Sequence, residues 1–470
     1  MSWAQSALGR AGAYMLAIVI GKGLAFVMLP IVTGALSPAE FGALELLIAI
    51  TDVGGVLLGL GLADTLFRFA AEAPRKVATT LWGMALALAL LGGLALQLLI
   101  PLVMPWMPGP ITTLDMQLVA ATLALTSLIQ VPLAWLRFRD AAWTFLMVEA
   151  AKSLIQAGSI ATLLYFDQGI TGILLGGLIA NGLIALYLGF SLYRESGVAL
   201  EPARAGMMVV YALPLVLSGS FGFILGSFDR WMLAPHISLE TLGHYGLAAK
   251  FALLAAFAMQ PFDMWWYPKR IGLLSSAEGR GHARDVVRFG CVMASAVTLV
   301  AMVLGPEVIC LLTPHNYHAA GQILPWLLLV KLLHQYSNLL NVGCYAQRST
   351  VQPMIINAAS AALVVLGYLW LIPNLGFAGA IAALIIAQAF RLLVFAHASQ
   401  EFARIAHQPL QLAWPVLLIA PPLAANLLGE SPYHFEIYAF SIFGMLIALF
   451  LSAKPLRGPE QRPLRIKVGS

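Results

Sequence analysis

The sequence predicts an all-α polytopic membrane protein with about 14 transmembrane helices, since one span takes roughly 20 apolar residues. Three observations lead to this prediction. The 470-residue chain is 60% hydrophobic and only 10% charged, whereas a soluble domain carries about 25% charged residues. Long apolar runs recur along the whole chain, and the Lys and Arg residues collect in alternate connections between them. These features exclude a soluble domain with one anchor.

Each long apolar run is interpreted as a helix, because unpaired backbone polar groups are too costly in lipid. The first seven predicted helices lie near 11–35, 41–66, 78–104, 114–136, 142–166, 169–193 and 207–234. The remaining predicted helices lie near 241–267, 287–312, 319–346, 351–373, 376–398, 411–428 and 434–453.

The distribution of basic residues predicts the orientation. With the N-terminus in the cytoplasm, external connections such as "SPAE" and "PWMPGPITTLD" contain no Lys or Arg. The cytoplasmic loops and helix ends hold 21 of the 26 basic residues. Arg270 and Arg391 belong to these 21. Positive residues favour the cytoplasmic side, so both termini are predicted to be cytoplasmic. The five exceptions fall inside predicted helices: Lys22, Lys152, Arg230, Lys250 and Lys331.

The segment "MWWYPKR", Met264 to Arg270, follows the eighth predicted helix. Trp and Tyr are enriched at membrane–water interfaces, where Lys and Arg extend their charged ends to water. This segment is therefore predicted to be an interfacial belt without a binding site.

A short internal repeat predicts the domain organisation. "LSPAEFGAL" and "ISLETLGHYGL" align Ser37 with Ser238 and Gly42 with Gly243, each in the external turn after the first helix of its half. An even number of intervening helices relates the halves by an axis along the membrane normal. We predict six-helix bundles at 1–200 and 201–400, two additional helices at 401–453, and a basic cytoplasmic tail at 454–470.

Several function classes are disfavoured. The three cysteines have no paired spacing, so neither a disulfide framework nor a metal site is expected, and no cofactor is predicted. The net charge of +5 is explained by the cytoplasmic loops, so no nucleic-acid partner is expected. The external loops are short and carry no cation to hold a lipid diphosphate. An enzyme such as a glycan polymerase is therefore not expected.

The N-terminal stretch "GKGLAFVMLPIVTGALSPAEFGALEL" resembles the opening of bacterial polysaccharide flippases of the multidrug/oligosaccharidyl-lipid/polysaccharide exporter superfamily. The likeness lies in Lys22-Gly23, Leu29-Pro30, Thr33, Leu36-Ser37-Pro38 and Phe41-Gly42. A second stretch, "YALPLVLSGSFGFILGSFDRWML", is similar to the start of the family's second half through Leu213-Pro214 and Asp229-Arg230.

The resemblance implies a carrier of the bacterial inner membrane that moves an undecaprenyl-diphosphate-linked oligosaccharide to the external leaflet. It also implies alternating access around a hydrophilic cavity, ion coupling, and a polysaccharide polymerase or other export machinery as partner. The alternative is a cation-coupled drug or metabolite antiporter of the same superfamily. Such antiporters typically have twelve helices, so the two additional helices favour the saccharide branch.

Cations inside predicted helices are the candidate substrate ligands. A basic side chain at mid-bilayer costs about 2.5–3.5 kcal/mol, so it normally faces a cavity or a partner. "KLLHQYSNLLN" further places several polar groups on one stripe of the tenth helix. We expect this stripe to face a cavity, since bonding to a neighbouring helix usually takes one or two polar groups. The predicted cavity residues are Lys22, Arg230, Lys250, Lys331, His334, Gln335 and Asn338.

Acidic residues inside the helices are candidates for binding a coupling ion: Glu45, Asp52 and Asp229. Glu45 and Asp52 are seven residues apart and share one helix face. Purely structural roles stay open, because Asp52 also suits a pair with Lys22. Glu149 suits a pair with Lys152 three residues on.

Overall fold

The structure is a computed structural model that describes residues 7–59, 61–70, 73–346, 351–405, 408–428 and 434–453. The predicted tail at 454–470 lies outside these residues. Every regular element in the described ranges is a helix or helical turn. The all-α prediction is confirmed.

Eight α-helices precede residue 200. They are α1 (Ala7–Ala35), α2 (Pro38–Gly59), α3 (Leu62–Phe69), α4 (Pro74–Ala87), α5 (Gly93–Val103), α6 (Thr113–Phe138), α7 (Ala142–Tyr165) and α8 (Gly169–Ser196). A π-helical turn, Leu88–Gly92, joins α4 to α5.

Ten α-helices follow within the described ranges. They are α9 (Pro202–Gly226), α10 (Asp229–Leu233), α11 (Leu239–Phe257), α12 (Gln260–Trp266), α13 (Ala277–Leu312), α14 (Ala320–Leu340), α15 (Val351–Phe402), α16 (Pro409–Leu417), α17 (Ala420–Leu428) and α18 (His434–Ala453).

Every predicted span coincides with one of these helices or with consecutive ones. In the described ranges, eight helices are long and apolar enough to cross a membrane, or nine if α11 and α12 form one span bent by 43°. The 52-residue α15 contains two predicted spans, divided at Gly376, whose φ is 55°. The protein is therefore a multi-pass membrane protein.

The structure breaks several spans that the sequence predicts as continuous. The span at 41–66 divides into α2 and α3 at Gly61, whose φ of 55° is left-handed and suits glycine. The span at 207–234 divides into α9 and α10 around Ser227, which has φ −140°. Hydropathy does not locate such breaks, because it is averaged over a window of about 19 residues.

The chain forms two compact units that alternate along the sequence. The first comprises 1–247, 309–319 and 361–383, and the second comprises 248–308, 320–360 and 384–470. In the first unit, α7 packs along α1 and α8, and α6 packs along α8. The domain boundaries proposed from the repeat at 200 and 400 stay a prediction.

The two repeated turns contact each other within the first unit. Ser37 and Ser238 occupy matching positions, since the hydroxyl of each accepts a backbone N–H three residues on, at 3.3 Å and 3.1 Å. A Cβ added at Gly42 would lie 2.0 Å from the carbonyl oxygen of Leu239, and one at Gly243 would lie 2.0 Å from that of Pro38. Only glycine permits this backbone contact between α2 and α11.

A tyrosine from the turn between α13 and α14 covers this contact. The hydroxyl of Tyr317 donates a 2.8 Å hydrogen bond to the carbonyl of Leu36, and its ring packs edge-on against Phe41 with centroids 5.8 Å apart. Both rings are buried. We call Gly42, Gly243 and Tyr317 the turn contact.

Candidate functional site

The first group of site residues surrounds Arg230 in the first unit. Its Nε lies 3.3 Å from Oε2 of Glu45, and its Nη1 lies 2.9 Å from Oδ1 of Asp229. Asp229 opens α10, and its Oδ1 also accepts the backbone N–H of Arg230 at 2.9 Å. Glu45 is 1% exposed and Asp229 is 4% exposed. Two buried carboxylates therefore share one guanidinium.

Aromatic residues complete this group. The hydroxyl of Tyr245, on α11, donates a hydrogen bond to Oδ2 of Asp229. Tyr368, on α15, lies within electrostatic range of both Asp229 and Arg230. A Cβ at Gly246 would lie 2.3 Å from Cγ of Glu45, so glycine at 246 makes room for that side chain. We call Glu45, Asp229, Arg230 and Tyr245 the acid–arginine group.

The other predicted charged residues of the early helices are more exposed than the acid–arginine group. Asp52 is exposed on α2 and accepts a 3.1 Å hydrogen bond from the hydroxyl of Ser227. Lys22 is exposed on α1, and Lys250, the third residue of the second unit, is half-buried on α11. On α7, Lys152 and Glu149 form a 4.0 Å ion pair. The pair predicted from their spacing is therefore confirmed.

The second group of site residues belongs to the second unit and includes the polar stripe of α14. Lys331 and Gln335 line a cavity of about 20 Å³, with room for about one water molecule. Gln335 also donates a 2.8 Å hydrogen bond to Asp263.

The other members of the stripe bond arginine side chains. Asn338 accepts from Arg391 at 3.1 Å, Nδ1 of His334 lies 3.3 Å from the same guanidinium, and Asn341 accepts from Arg270 at 3.2 Å. The expectation that bonding takes only one or two polar groups is wrong here, since four stripe residues bond neighbouring elements. The four stripe residues are needed as hydrogen-bond partners for Arg270, Arg391 and Asp263.

Sequence reasoning did not predict that these two arginines are buried by protein. Arg391 is 6% exposed and Arg270 is 7% exposed. Their predicted places, at a cytoplasmic helix end and at the membrane interface, stay predictions. One available signal was depth, since Arg391 lies about two helical turns inside the span predicted at 376–398. Among the described residues, no group of His, Cys, Asp or Glu has the arrangement of a metal site.

Comparisons with known proteins identify the fold and the family of the chain. No curated protein sequence matches the chain. The fold is similar to a solved structure described as "Lipid II flippase MurJ, inward closed conformation", with a TM-score of 0.73 and 13% identity. The match covers 94% of this chain and 99% of that one.

Drug transporters share the fold at lower similarity. An outward-facing multidrug resistance MATE family transporter of the MOP superfamily matches with a TM-score of 0.58 and 15% identity, covering 85% of this chain and 96% of that one. A mutant of the Vibrio cholerae MATE transporter VcmN matches with a TM-score of 0.55 and 18% identity, covering 84% of this chain and 99% of that one. At such identities these matches establish the fold.

The family is established by sequence. The family described as "Polysaccharide biosynthesis protein" matches residues 8–269, more than half of the 470-residue chain. The matched range contains Lys22, both repeated turns and the whole acid–arginine group. The chain is a multi-pass membrane protein that belongs to the polysaccharide biosynthesis protein family.

Proposed function

We propose that the protein is a flippase that moves an undecaprenyl-diphosphate-linked oligosaccharide from the cytoplasmic to the external leaflet of a bacterial inner membrane. The observation that carries the proposal is the coincidence of two matches. A polysaccharide biosynthesis family covers residues 8–269, and a fold shared with a lipid II flippase extends over 94% of the chain. Both termini face the cytoplasm, and a polysaccharide polymerase receives the product.

The charged residues inside the helices support transport. Charges within apolar helices cost about 2.5–3.5 kcal/mol each and are retained for function or paired. Lys22, Lys250 and Lys331 attract the substrate diphosphate, since phosphate and ammonium groups form strong charge-assisted hydrogen bonds. The substrate diphosphate contacts these lysines while the protein alternates between its inward-facing and outward-facing states.

The acid–arginine group supports ion coupling. Arg230 lies within 3.3 Å of Glu45 and 2.9 Å of Asp229, so protonation of either carboxylate loosens its hold on the guanidinium. Proton or cation binding at Glu45 or Asp229 therefore shifts the balance between two arrangements of α2 and α10. Asp52, which accepts from Ser227, is the third proposed coupling carboxylate.

A gene deletion separates this function from the alternative, a cation-coupled drug or metabolite antiporter, whose fold the MATE matches show. We expect the deletion strain to lose its surface glycan and to accumulate the lipid-linked precursor on the inner leaflet. Complementation with the wild-type chain restores the glycan. An intact glycan together with sensitivity to toxic cations would overturn the flippase and favour the antiporter.

A further inference from the structure

Two buried arginines of the second unit are bonded by neutral side chains. Arg391, on α15, donates from Nε to Oδ1 of Asn357 at 2.9 Å and from Nη2 to Oδ1 of Asn338 at 3.1 Å. Its Nη1 lies 3.3 Å from Nδ1 of His334. These contacts fix the guanidinium in one orientation without adding a negative charge.

Arg270 belongs to the same cluster. Its guanidinium carbon lies 4.2 Å from the ring centroid of Tyr267 and 5.0 Å from that of Tyr345. Both tyrosines also lie within electrostatic range of Arg391. Burial lowers the pKa of the Arg270 guanidinium from its ordinary value, because desolvation disfavours the charged form.

The cluster around Arg270 and Arg391 carries more positive than negative charge. Across the described ranges, neither guanidinium forms an ion pair with a carboxylate. The acid within electrostatic range of Arg270 is Asp263, whose Oδ1 accepts from Gln335. Arg230, in contrast, has two carboxylates.

A buried cation held by amide oxygens suits an anion supplied by a ligand. Guanidinium groups bind phosphate through two parallel N–H···O bonds, and a low-dielectric setting strengthens the attraction. Asn338, Asn357 and His334 keep Arg391 in place before the anion binds, which lowers the entropy cost of binding.

We propose that Arg270 and Arg391 form a phosphate-binding site at the cytoplasmic end of the second unit and receive the diphosphate of the lipid-linked substrate. The cytoplasmic location follows from the predicted orientation, and the source of the diphosphate rests on the proposed function. Neither arginine belongs to the predicted cavity set of Lys22, Arg230, Lys250, Lys331, His334, Gln335 and Asn338. Two members of that set, His334 and Asn338, contact Arg391 here.

The test measures diphosphate binding to the purified full-length protein in neutral detergent. The probes are farnesyl diphosphate, inorganic pyrophosphate and farnesol, and the readouts are the dissociation constant and the shift in melting temperature. We expect farnesyl diphosphate to bind, and R270Q and R391Q each to weaken it at least tenfold. The control is R284Q, because Arg284 is half-exposed and pairs with Asp285 at 3.0 Å.

One further variant separates a binding role from a structural one. Asn357→Asp places a carboxylate on the Nε of Arg391 with nearly unchanged shape. We expect it to raise the melting temperature and to abolish diphosphate binding, since the new carboxylate neutralises the cation. It also keeps the test informative if R391Q does not fold.

Each other outcome has a defined meaning. Unchanged affinity in N357D and R270Q would overturn the site. Equal affinity for inorganic pyrophosphate and farnesyl diphosphate would overturn the lipid source and assign the site to a free phosphate compound. Loss of binding in the variants, with no glycan defect in the deletion strain, would retain the site and reject the flippase.

Discussion

At the scale of single residues, the structure handles buried cations in two ways. Arg230 is neutralised by Glu45 and Asp229, whereas Arg391 is held by Asn338, Asn357 and His334. In the first arrangement, the stability of the protein depends on the contacts between Arg230 and its two carboxylates. The second leaves the charge available to an anion.

The acid–arginine group gives a stability prediction. R230Q leaves two buried carboxylates without their guanidinium and should destabilise the protein by about 3–5 kcal/mol, the usual cost of breaking a buried pair. The measurement is unfolding of the purified protein in detergent.

Arg139→Gln is the matched control for R230Q. Arg139 pairs with Glu195 at an exposed position, so the expected loss is about 0–1 kcal/mol. Equal losses in the two variants would show that the acid–arginine group contributes no special stability.

Sequence reasoning identified the three charged residues of this group, but it identified neither Tyr245 nor the contacts within the group. Glu45, Asp229 and Arg230 are recognisable as candidates because they are charges inside apolar runs, and the Glu149–Lys152 pair follows from helical spacing. The contacts of Arg230 with Glu45 and of Arg391 with Asn357 join residues far apart in the chain. A single sequence carries no signal for such pairings.

At the scale of elements, the contact between the repeated turns predicts that alanine substitutions at two glycines change the stability by very different amounts. Gly42→Ala forces a Cβ against the backbone of Leu239, and overpacking of this kind costs about 1–3 kcal/mol or more. In Gly34→Ala, the new Cβ has nothing within 4 Å, and the helical alanine is expected to be neutral or stabilising by up to about 1 kcal/mol. Melting temperatures in detergent compare the two variants.

The contradicting result for the turn contact is a Gly42→Ala protein as stable as Gly34→Ala. That result would mean that α2 and α11 do not approach at Gly42 and Gly243. The sequence indicated the importance of both glycines through the repeat. It did not indicate that the two turns contact each other, because a repeat relates segments without specifying their distance.

Hydropathy predicts where the helices lie, but it does not predict where they are interrupted. Spans need long apolar runs, and hydropathy detects those directly. The divisions at Gly61 and Gly376 depend on left-handed φ values of 55°. Each glycine lies among other glycines in the sequence, and packing selects which of them adopts that conformation.

At the scale of the whole molecule, the predicted orientation is testable by labelling. Glu240 and Glu201 are both exposed and lie in connections assigned to opposite sides. In a Cys310→Ser background, Glu240→Cys should react with an impermeant maleimide in spheroplasts, and Glu201→Cys only after permeabilisation. The reverse labelling pattern would invert the topology.

The most direct test of the central claim is flipping by the purified protein in proteoliposomes. A fluorescent undecaprenyl-diphosphate-linked oligosaccharide is placed in both leaflets, and an impermeant quencher reports the fraction that stays inaccessible. The account predicts that the wild-type protein makes nearly all of the probe accessible over time, while protein-free vesicles keep about half protected. A protected half that persists with folded wild-type protein, under every imposed ion gradient, would contradict the account.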